Sequence, residues 1–287
     1  LREVPESYLE EPRSLLKGSK NSILALPQST KEVSTIVNFS RDTGVGIIPY
    51  SGGTGLVGGQ VNPTSDPVVI LSTSKMNKIR KIYPNERVVI VDAGLILDDL
   101  QKEVEKDDLF FPLSLASQGS CRIGGNLATN AGGTGVLRYG NAKELVLGLE
   151  VVLADGTIIN SLKRLRKDNT GYDLKQLFMG SEGTLGIITK AVIKLFPSPK
   201  NKVSSIIALK NIDSTVSALA NLREKTGDSI TAFEYIDRNC INLLLDRLDI
   251  RDIFSDMYNH YALVELSSSR NNENLMSMLE DAISSSI

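Results

Sequence analysis

The chain has 287 residues, of which 41% are hydrophobic and 23% charged, and its formal net charge is −2. This composition is typical of one large or two medium globular domains, and the small net charge argues against nucleic acid or an anionic membrane surface as a partner. Two cysteines without metal-type spacing predict a reduced, cytoplasmic protein, and a single histidine excludes a metal site that needs a histidine pair from this chain.

The first part of the sequence predicts an α/β subdomain that extends to about residue 95. Ser29 and Glu32 form a capping-box pattern, the apolar residues Val33, Ile36, Val37 and Phe39 are expected mainly on one helix face, and Gly44 is a suitable stop. The predicted elements are a helix at 29–41, strands at 46–50, 68–71, 78–83 and 87–93, and a helix at 97–106.

A second subdomain is predicted from residue 96 to 199, where Pro197 and Pro199 mark its end. Its elements are strands at 145–153 and 157–160 around the hairpin turn Ala154-Asp155-Gly156, a short helix at 171–178 and a strand at 187–195.

Beyond residue 200 the composition changes, and Gly227 is the one remaining glycine in the sequence. There the pattern predicts strands at 203–209, 231–236 and 261–266, and helices at 214–225, 238–248 and 273–284.

A glycine-rich loop, Pro49–Gly59, follows the strand at 46–50 directly. Glycines leave backbone N–H groups uncovered, and several such groups pointing inward bind a pyrophosphate, with Ser51 and Thr54 adding hydroxyl donors. The loop lacks the Gly-Lys-Ser/Thr of a Walker sequence, and Pro63 prevents the helix that a dinucleotide fingerprint requires. Taken alone, the loop fits either a phosphate site or a flexible surface loop.

Two further glycine-rich segments, 119–133 and 180–188, favour the ligand site over the surface loop. Glycines in the first segment allow the backbone to approach a flat ring system, and Asn126, Thr129 and Asn130 add neutral hydrogen-bonding groups. Three such segments in one region indicate one long ligand that is contacted along its length.

Together these residues resemble the FAD-linked 2-hydroxy-acid dehydrogenases, a family that includes the D-2-hydroxyglutarate and D-lactate dehydrogenases and the glycolate oxidase flavin subunit; the D-2-hydroxyglutarate group is the most similar. The resemblance covers about residues 20–200. It implies an α+β fold, with a PCMH-type FAD-binding domain of the vanillyl-alcohol-oxidase class at 1–199, built from subdomains at about 1–95 and 96–199, and a truncated ferredoxin-like cap domain at 200–287. The segments that carry it are Ile123–Asn126, Asn130–Gly133, Leu137–Gly140, Gly148–Gly156, Leu165–Phe178 and Gly180–Thr189.

The resemblance also implies which residues hold FAD. The pyrophosphate residues are Pro49, Ser51, Gly52, Gly53, Thr54, Gly55 and Leu56. The ribityl and flavin ring are expected along Ser117, Gly119, Ser120, Ile123, Gly124, Asn126, Ala128, Thr129 and Gly132. Contacts to flavin and adenine are expected from Glu182, Gly183, Gly186, Ile187 and Ile188. The FAD is expected to be non-covalent, because no histidine lies nearby and Cys121 is interpreted as a bystander.

The implied reaction is hydride transfer from the α-carbon of a D-2-hydroxy acid, of the 2-hydroxyglutarate, lactate or glycolate class, to the flavin. The implied electron acceptor is a quinone, an electron-transfer flavoprotein or a cytochrome. No catalytic base was identified, and the family's metal-binding histidines do not occur in this sequence, which we therefore expect to be an incomplete enzyme that ends within the cap. A cytoplasmic location is expected, with peripheral membrane attachment as the alternative.

Two other interpretations stay open. One is an FAD-binding remnant or subunit that needs a second chain, with a homodimer or a complementing subunit as the assembly. The other is a reductase of the UDP-N-acetylmuramate type, which shares the flavin fold but not the run Asn169–Phe178. The basic run Lys163–Lys167 is predicted to be a solvated surface, and His260 to be structural.

Overall fold

The computed structural model describes residues 4–227 and 229–284. The strands are β1 (Ser22–Ala25), β2 (Gly46–Tyr50), β3 (Val68–Ser72), β4 (Ile79–Tyr83), β5 (Val88–Asp92), β6 (Leu109–Phe110), β7 (Val146–Val152), β8 (Ile158–Ser161), β9 (Ile187–Lys194), β10 (Phe196–Pro197), β11 (Asn201–Leu209), β12 (Ile230–Asp237) and β13 (His260–Ser268). The helices are α1 (Thr30–Thr43), α2 (Leu97–Glu105), α3 (Ile123–Ala128), α4 (Val136–Tyr139), α5 (Lys175–Phe178), α6 (Ile212–Thr226), α7 (Arg238–Arg247) and α8 (Leu275–Ser284).

The chain divides into two compact units. The first contains the residues up to Ala131 together with Asn141–Phe196, and the second contains Gly132–Gly140 and the residues from Pro197 onward. The assignment of an FAD domain and a cap domain on either side of residue 199 stays a prediction. Within the described residues, no helix has the length and apolar character needed to cross a membrane.

Helix α1 begins and ends where the sequence predicts. The Ser29 hydroxyl oxygen accepts a hydrogen bond from the Glu32 backbone N–H, and Gly44 ends the helix in the left-handed conformation at φ 73°. Val33 and Val37 are buried, whereas Phe39 is 56% exposed. The expectation that Phe39 shares the buried face is wrong, because a residue two positions beyond Val37 lies on a different side of a helix with 3.6 residues per turn.

A parallel sheet in the order β1-β3-β2 places two chain segments side by side in the first unit. The register pairs Pro49 with Leu71 and Tyr50 with Ser72. Since β2 and β3 run in the same direction, the segments that come after them leave the sheet at one edge. Pro49 is tolerated because β2 is an edge strand. The glycine loop after β2 therefore begins beside Thr73.

The second sheet of this unit has the order β4-β5-β9-β7-β8 and is antiparallel. β4 and β5 precede the subdomain boundary predicted near residue 95, but β5 pairs with the later strand β9, and β4 pairs with β5. The two sheets separate between Ser72 and Ile79 instead. Buried Glu150 of β7 joins this sheet to α1, since its carboxylate accepts hydrogen bonds from Thr30 and from Lys190, the latter at 2.5 Å.

The second unit is a three-stranded antiparallel sheet in the order β11-β13-β12. Its core includes Ala218 and Leu222 of α6, Leu266 of β13, and Leu275 and Leu279 of α8. The strand order, with α6 between β11 and β12, matches the first three strands of the predicted ferredoxin-like sheet, whereas α7 between β12 and β13 is an additional helix. α4 also belongs to this unit, and the Arg138 guanidinium donates to the Ser267 backbone oxygen at 2.6 Å.

Candidate cofactor site

A cavity of about 470 Å³ lies in the first unit, where the glycine loop, α3 and the segment before β9 meet. We call it the cofactor cavity. It lies within the size range of small-molecule sites. Its lining consists of Pro49–Val57, Gly59, Gln60, Thr73, Leu115, Ser117, Arg122, Gly124–Asn126, Ala128, Thr129, Ala131, Glu182, Gly183 and Gly186–Ile188.

The glycine loop owes its shape to close packing. A Cβ at Gly52 would lie 2.7 Å from the Ser120 backbone oxygen, so a side chain there would push the loop away from the segment 120–122. Gly53 has φ +67°, a conformation that favours glycine. The Gln60 side-chain amide donates to the Gly55 backbone oxygen at 2.7 Å and holds the loop from its far end.

Ser51 joins the loop to α3. Its hydroxyl oxygen accepts a hydrogen bond from the Gly125 backbone N–H at 3.0 Å, which leaves the hydroxyl proton able to donate to a ligand. A Cβ at Gly125 would lie 2.8 Å from the Ser51 Cβ, so this approach also requires glycine.

The segment before β9 contains two successive residues in the left-handed region. Glu182 has φ 53° and Gly183 has φ 82°. A left-handed conformation is uncommon for a glutamate, and non-glycine residues with this geometry are enriched at functional sites. The Glu182 backbone N–H donates to the Ala128 backbone oxygen at 2.8 Å, so this strained turn is fixed against α3.

Thr73 supplies an unpaired polar atom at the cofactor cavity. Thr73 is 5% exposed and lines the cavity. Among the described residues, its hydroxyl oxygen is the buried side-chain atom for which no hydrogen-bond partner is found. Because a buried hydroxyl without a partner is costly, this geometry fits a ligand that supplies the missing hydrogen bond.

The charged groups of the lining are few. Among the described residues that line the cofactor cavity, Arg122 is the cation and Glu182 is the carboxylate. The Arg122 guanidinium donates to the Gly94 backbone oxygen, which fixes the side chain at the cavity wall. Burial raises the pKa of the neighbouring Tyr50 phenol, an effect that Tyr8 strengthens and Arg122 opposes. The Tyr50 phenol therefore stays neutral at physiological pH.

A second cavity of about 350 Å³ adjoins the first and shares Pro49, Gly183, Gly186 and Ile187 with it. It extends to the carboxyl end of α1, where Arg41 and Gly44 line it. Two cavities with common walls suit an elongated ligand with two bulky ends.

Most residues predicted from the sequence line the cofactor cavity, but four do not. Gly119 and Ser120 line a neighbouring cavity beside Ser51 and Gly52. Ile123 is 1% exposed and packs in the core. Gly132 groups with the second unit. These four residues therefore lie outside the cavity lining, and their predicted contacts with FAD stay a prediction.

Several lining residues were not predicted from the sequence. Four of them lie within or beside the glycine loop: Tyr50, Val57, Gly59 and Gln60. Three more lie within the second glycine segment: Arg122, Gly125 and Ala131. For these seven residues, their position in a glycine-rich motif was the sequence signal that could have identified them. Thr73 and Leu115 lie outside all three segments. Thr73 is recognised only from the parallel pairing of β2 with β3, which places it beside the glycine loop.

The two residues considered for other chemistry lie elsewhere. Cys121 is 1% exposed, and its sulfur accepts a hydrogen bond from the Asn126 side-chain amide at 3.4 Å. His260 belongs to the second unit, where its Nδ1 lies 2.8 Å from the Tyr235 hydroxyl. Across residues 4–227 and 229–284, no group of three metal-ligating side chains is found.

Comparison with known sequence families gives two matches. A family model described as FAD binding domain matches residues 22–161, and one described as FAD linked oxidases, C-terminal domain, matches residues 198–286. The predicted cofactor, FAD, and the predicted PCMH-type fold, here followed by a C-terminal domain of FAD-linked oxidases, are thereby confirmed.

Curated relatives agree with these matches. The chain is 41% identical to mitochondrial D-2-hydroxyglutarate dehydrogenase of Rattus norvegicus, over 93% of this chain and 50% of that protein. It is 38% identical to D-2-hydroxyglutarate–pyruvate transhydrogenase DLD3 of Saccharomyces cerevisiae, over 98% of this chain and 57% of that protein. The chain therefore spans about half the length of the curated relatives it matches.

A solved structure of alkyldihydroxyacetonephosphate synthase has the same fold, with a TM-score of 0.76 and 22% identity over 92% of this chain and 52% of that chain.

The cytoplasmic location expected from the sequence is wrong. The relatives from Rattus norvegicus, Bos taurus and Arabidopsis thaliana are named mitochondrial, and the low cysteine content does not distinguish between these compartments.

Proposed function

We propose a function from the premise that this chain belongs to the family of FAD-linked oxidases: it holds FAD in the cofactor cavity and takes part in oxidising a D-2-hydroxy acid. The names of the relatives favour D-2-hydroxyglutarate as the substrate. Lactate and glycolate are the smaller members of the same class, and the electron acceptor is a quinone, an electron-transfer flavoprotein or a cytochrome.

The observation that carries this proposal is the convergence of three glycine-rich segments and the unpaired Thr73 hydroxyl on one cavity. The glycines keep side chains away from a ligand that touches the backbone. The buried hydroxyl offers a directed hydrogen bond that no described protein group satisfies. A flexible surface loop, the competing interpretation of Pro49–Gly59, explains neither feature.

In this proposal the FAD pyrophosphate lies against the loop at Gly52–Gly55, where backbone N–H groups donate to its oxygens. Arg122 compensates part of its negative charge. The flavin ring is assigned to the side lined by Ser117 and Asn126, and the adenine to the adjoining cavity. The predicted contacts from Glu182 to Ile188 join these two ends. The Thr73 hydroxyl is an additional FAD partner.

The chemistry that FAD would supply at this site, when bound, is acceptance of a hydride from the substrate α-carbon. The residues described here bind and orient the cofactor. Ile187 and Ile188 are buried and Asn126 is 5% exposed, so packing holds this part of the cavity wall in place. Orientation of this kind reduces the entropic barrier to the reaction.

The test is an absorption spectrum of the purified chain with FAD, followed by anaerobic addition of D-2-hydroxyglutarate. Loss of the flavin absorption with the D enantiomer, and not with the L enantiomer, is the expected result. D-lactate and glycolate, tested in the same way, define the substrate class. Bound FAD that no 2-hydroxy acid reduces would contradict the oxidation by this chain.

The second candidate function is an FAD-binding subunit that another polypeptide completes. The observation in its favour is that the relatives are about twice as long as the matched region. FAD reduction that requires addition of the remaining part of a relative would support this candidate. Reduction by the chain alone would remove it.

A further inference from the structure

A third cavity of about 510 Å³ lies in the first unit, on a different set of residues from those of the cofactor cavity. Its wall is the loop after β8, which includes the basic run that the sequence predicts to be a solvated surface. We call it the basic cavity. No described residue lines both cavities, so the function proposed above does not account for this one.

The floor of the basic cavity is apolar. Leu149 and Val151 of β7 and Ile159 of β8 line it, and the register pairs Val151 directly with Ile159. Alternate residues of a strand face the same side, so these side chains form one surface. Phe178 of α5, which is 6% exposed, extends that surface.

The rim of the basic cavity is cationic. Five cationic side chains, Lys143, Lys163, Arg166, Lys175 and Lys194, line it against three carboxylates, Glu144, Asp168 and Asp173. Two of these carboxylates are already paired, since Asp168 lies 2.7 Å from the Lys163 ammonium and Asp173 lies 2.5 Å from that of Lys175. Three cations, Arg166, Lys194 and Lys143, then remain against the single carboxylate of Glu144, which leaves a positive excess.

The positive charges of Arg166 and Lys194 have no carboxylate partner among the described residues. Among the described residues, no ion pair or hydrogen bond is found for the Arg166 guanidinium, and the Lys194 ammonium donates to the Glu144 backbone oxygen. Burial lowers the pKa of Lys194, and the nearby charges of Arg166 and Lys175 lower it further against the opposing effect of Glu144. A bound anion relieves this repulsion between like charges.

Local hydrogen bonds shape the cavity wall independently of any ligand. The Lys163 ammonium donates to Asp168 and to the Thr170 hydroxyl, and the Asp168 carboxylate accepts from the Thr170 backbone N–H. Hydrogen bonds from Lys163 and from Thr170 lower the pKa of Asp168 to about 2, so this carboxylate is ionised throughout the physiological range. The arrangement is therefore preformed at neutral pH.

We propose that the basic cavity binds a small organic anion, with its carboxylate or phosphate group between Arg166 and Lys194 and its apolar body on the floor formed by Leu149, Val151 and Ile159. A volume of about 510 Å³ suits a molecule of this size. The cationic rim favours a negative charge, and the apolar floor favours an organic body over a fully hydrated inorganic ion.

The test measures binding by isothermal titration to the FAD-loaded chain, with octanoate and octyl phosphate as anionic probes and octanol as the uncharged match. Both anions are expected to bind at least about tenfold more tightly than octanol, the effect of a hydrogen bond to a charged group. The stronger of the two anions identifies the headgroup. Equal binding of octanol, or no binding of either anion, would overturn the proposal.

Arg166→Gln provides the variant, and Arg164→Gln its matched control. The Arg164 guanidinium lies 3.7 Å from the centre of the Tyr83 ring and pairs with Glu86 at 3.0 Å, and it does not line the basic cavity. R166Q is expected to weaken anion binding about tenfold, while R164Q leaves it unchanged. Equal losses in both variants would show diffuse surface charge and contradict the site. The flavin spectrum, which depends on the other cavity, reports that both variants fold.

Discussion

At the scale of single residues, Thr73 has two opposing effects that one substitution separates. Its buried hydroxyl has no described protein partner, so it destabilises the cofactor-free chain. The same hydroxyl is proposed to donate to or accept from FAD. Stability and FAD affinity should therefore change in opposite directions when it is removed.

We expect Thr73→Val to raise the free energy of unfolding of the cofactor-free chain by up to about 1 kcal/mol and to weaken FAD binding by about three- to tenfold. Urea unfolding and a fluorescence titration with FAD measure the two effects. Thr73→Ser keeps the hydroxyl and is the control. A valine variant that binds FAD as tightly as the parent would refute the assigned hydrogen bond.

Arg122 is the cation of the cofactor cavity among the described residues, so it is proposed to interact with the pyrophosphate. Arg122→Met is expected to weaken FAD binding about tenfold and to reduce the dependence of affinity on salt, because a charge–charge contact is lost. Titrations at two ionic strengths provide the measurement. An unchanged salt dependence would place the pyrophosphate away from Arg122.

The sequence was informative about residues within motifs and uninformative about residues brought there by the fold. Ser51 and Asn126 were recognised because they lie among glycines. Thr73 was not, because it has no local signal and reaches the cavity through the pairing of β2 with β3. Ile123 was assigned to the site for its position in a motif, but its side chain faces the core.

At the scale of elements, Gly52 sets how closely the glycine loop packs against the segment 120–122. Gly52→Ala would place a Cβ 2.7 Å from the Ser120 oxygen, and the loop must shift. We expect at least about tenfold weaker FAD binding with unchanged far-UV circular dichroism, since pyrophosphate binding depends on the positions of backbone donors.

Gly119→Ala is the matched control for that substitution. A Cβ at Gly119 meets nothing within 4 Å, and the residue does not line the cofactor cavity. FAD affinity should be unaffected. A large loss with Gly119→Ala would support the position at the flavin that the family resemblance implies, against the one that the structure shows.

The attachment of α1 to the five-stranded sheet depends on Glu150. Burial raises the pKa of this carboxyl, but hydrogen bonds from Lys190, Thr30 and Thr189 outweigh burial, and the net pKa is lowered. A lowered folded-state pKa means that Glu150 contributes stability above its unfolded pKa, near pH 4, and that this contribution is lost as pH falls through the folded-state value.

Glu150→Gln is expected to destabilise the chain by about 1–3 kcal/mol at neutral pH, because the partly buried Lys190 ammonium loses its counter-charge. The difference between parent and variant should shrink below about pH 4. Unfolding curves from pH 3 to 7 measure both effects. A difference that stays constant over this range would contradict the ionised Glu150.

Elements with local capping, alternation or turn signals were predicted well, including the short strands β2 and β8. α1 and β9 match their predicted bounds within two residues because capping and alternation are local signals. β1 and α3 were missed; α3 contains two glycines, which are unfavourable in helices. The predicted helix at 171–178 forms only over Lys175–Phe178, after the loop that walls the basic cavity.

At the scale of the whole molecule, family membership and the cavity support FAD binding, while catalysis depends on how much of the enzyme the chain contains. The chain spans about half of its curated relatives, so oxidation of a 2-hydroxy acid stays a proposal that the reduction experiment decides. FAD binding is a separate claim that depends on residues of the first unit alone.

A crystal structure of the chain with FAD tests the binding claim directly. We predict electron density for the pyrophosphate against Gly52–Gly55, with the Thr73 hydroxyl oxygen within hydrogen-bond distance of the cofactor, about 2.5–3.2 Å. FAD bound elsewhere on the chain, or a cofactor cavity that stays empty at saturating FAD, would contradict this prediction.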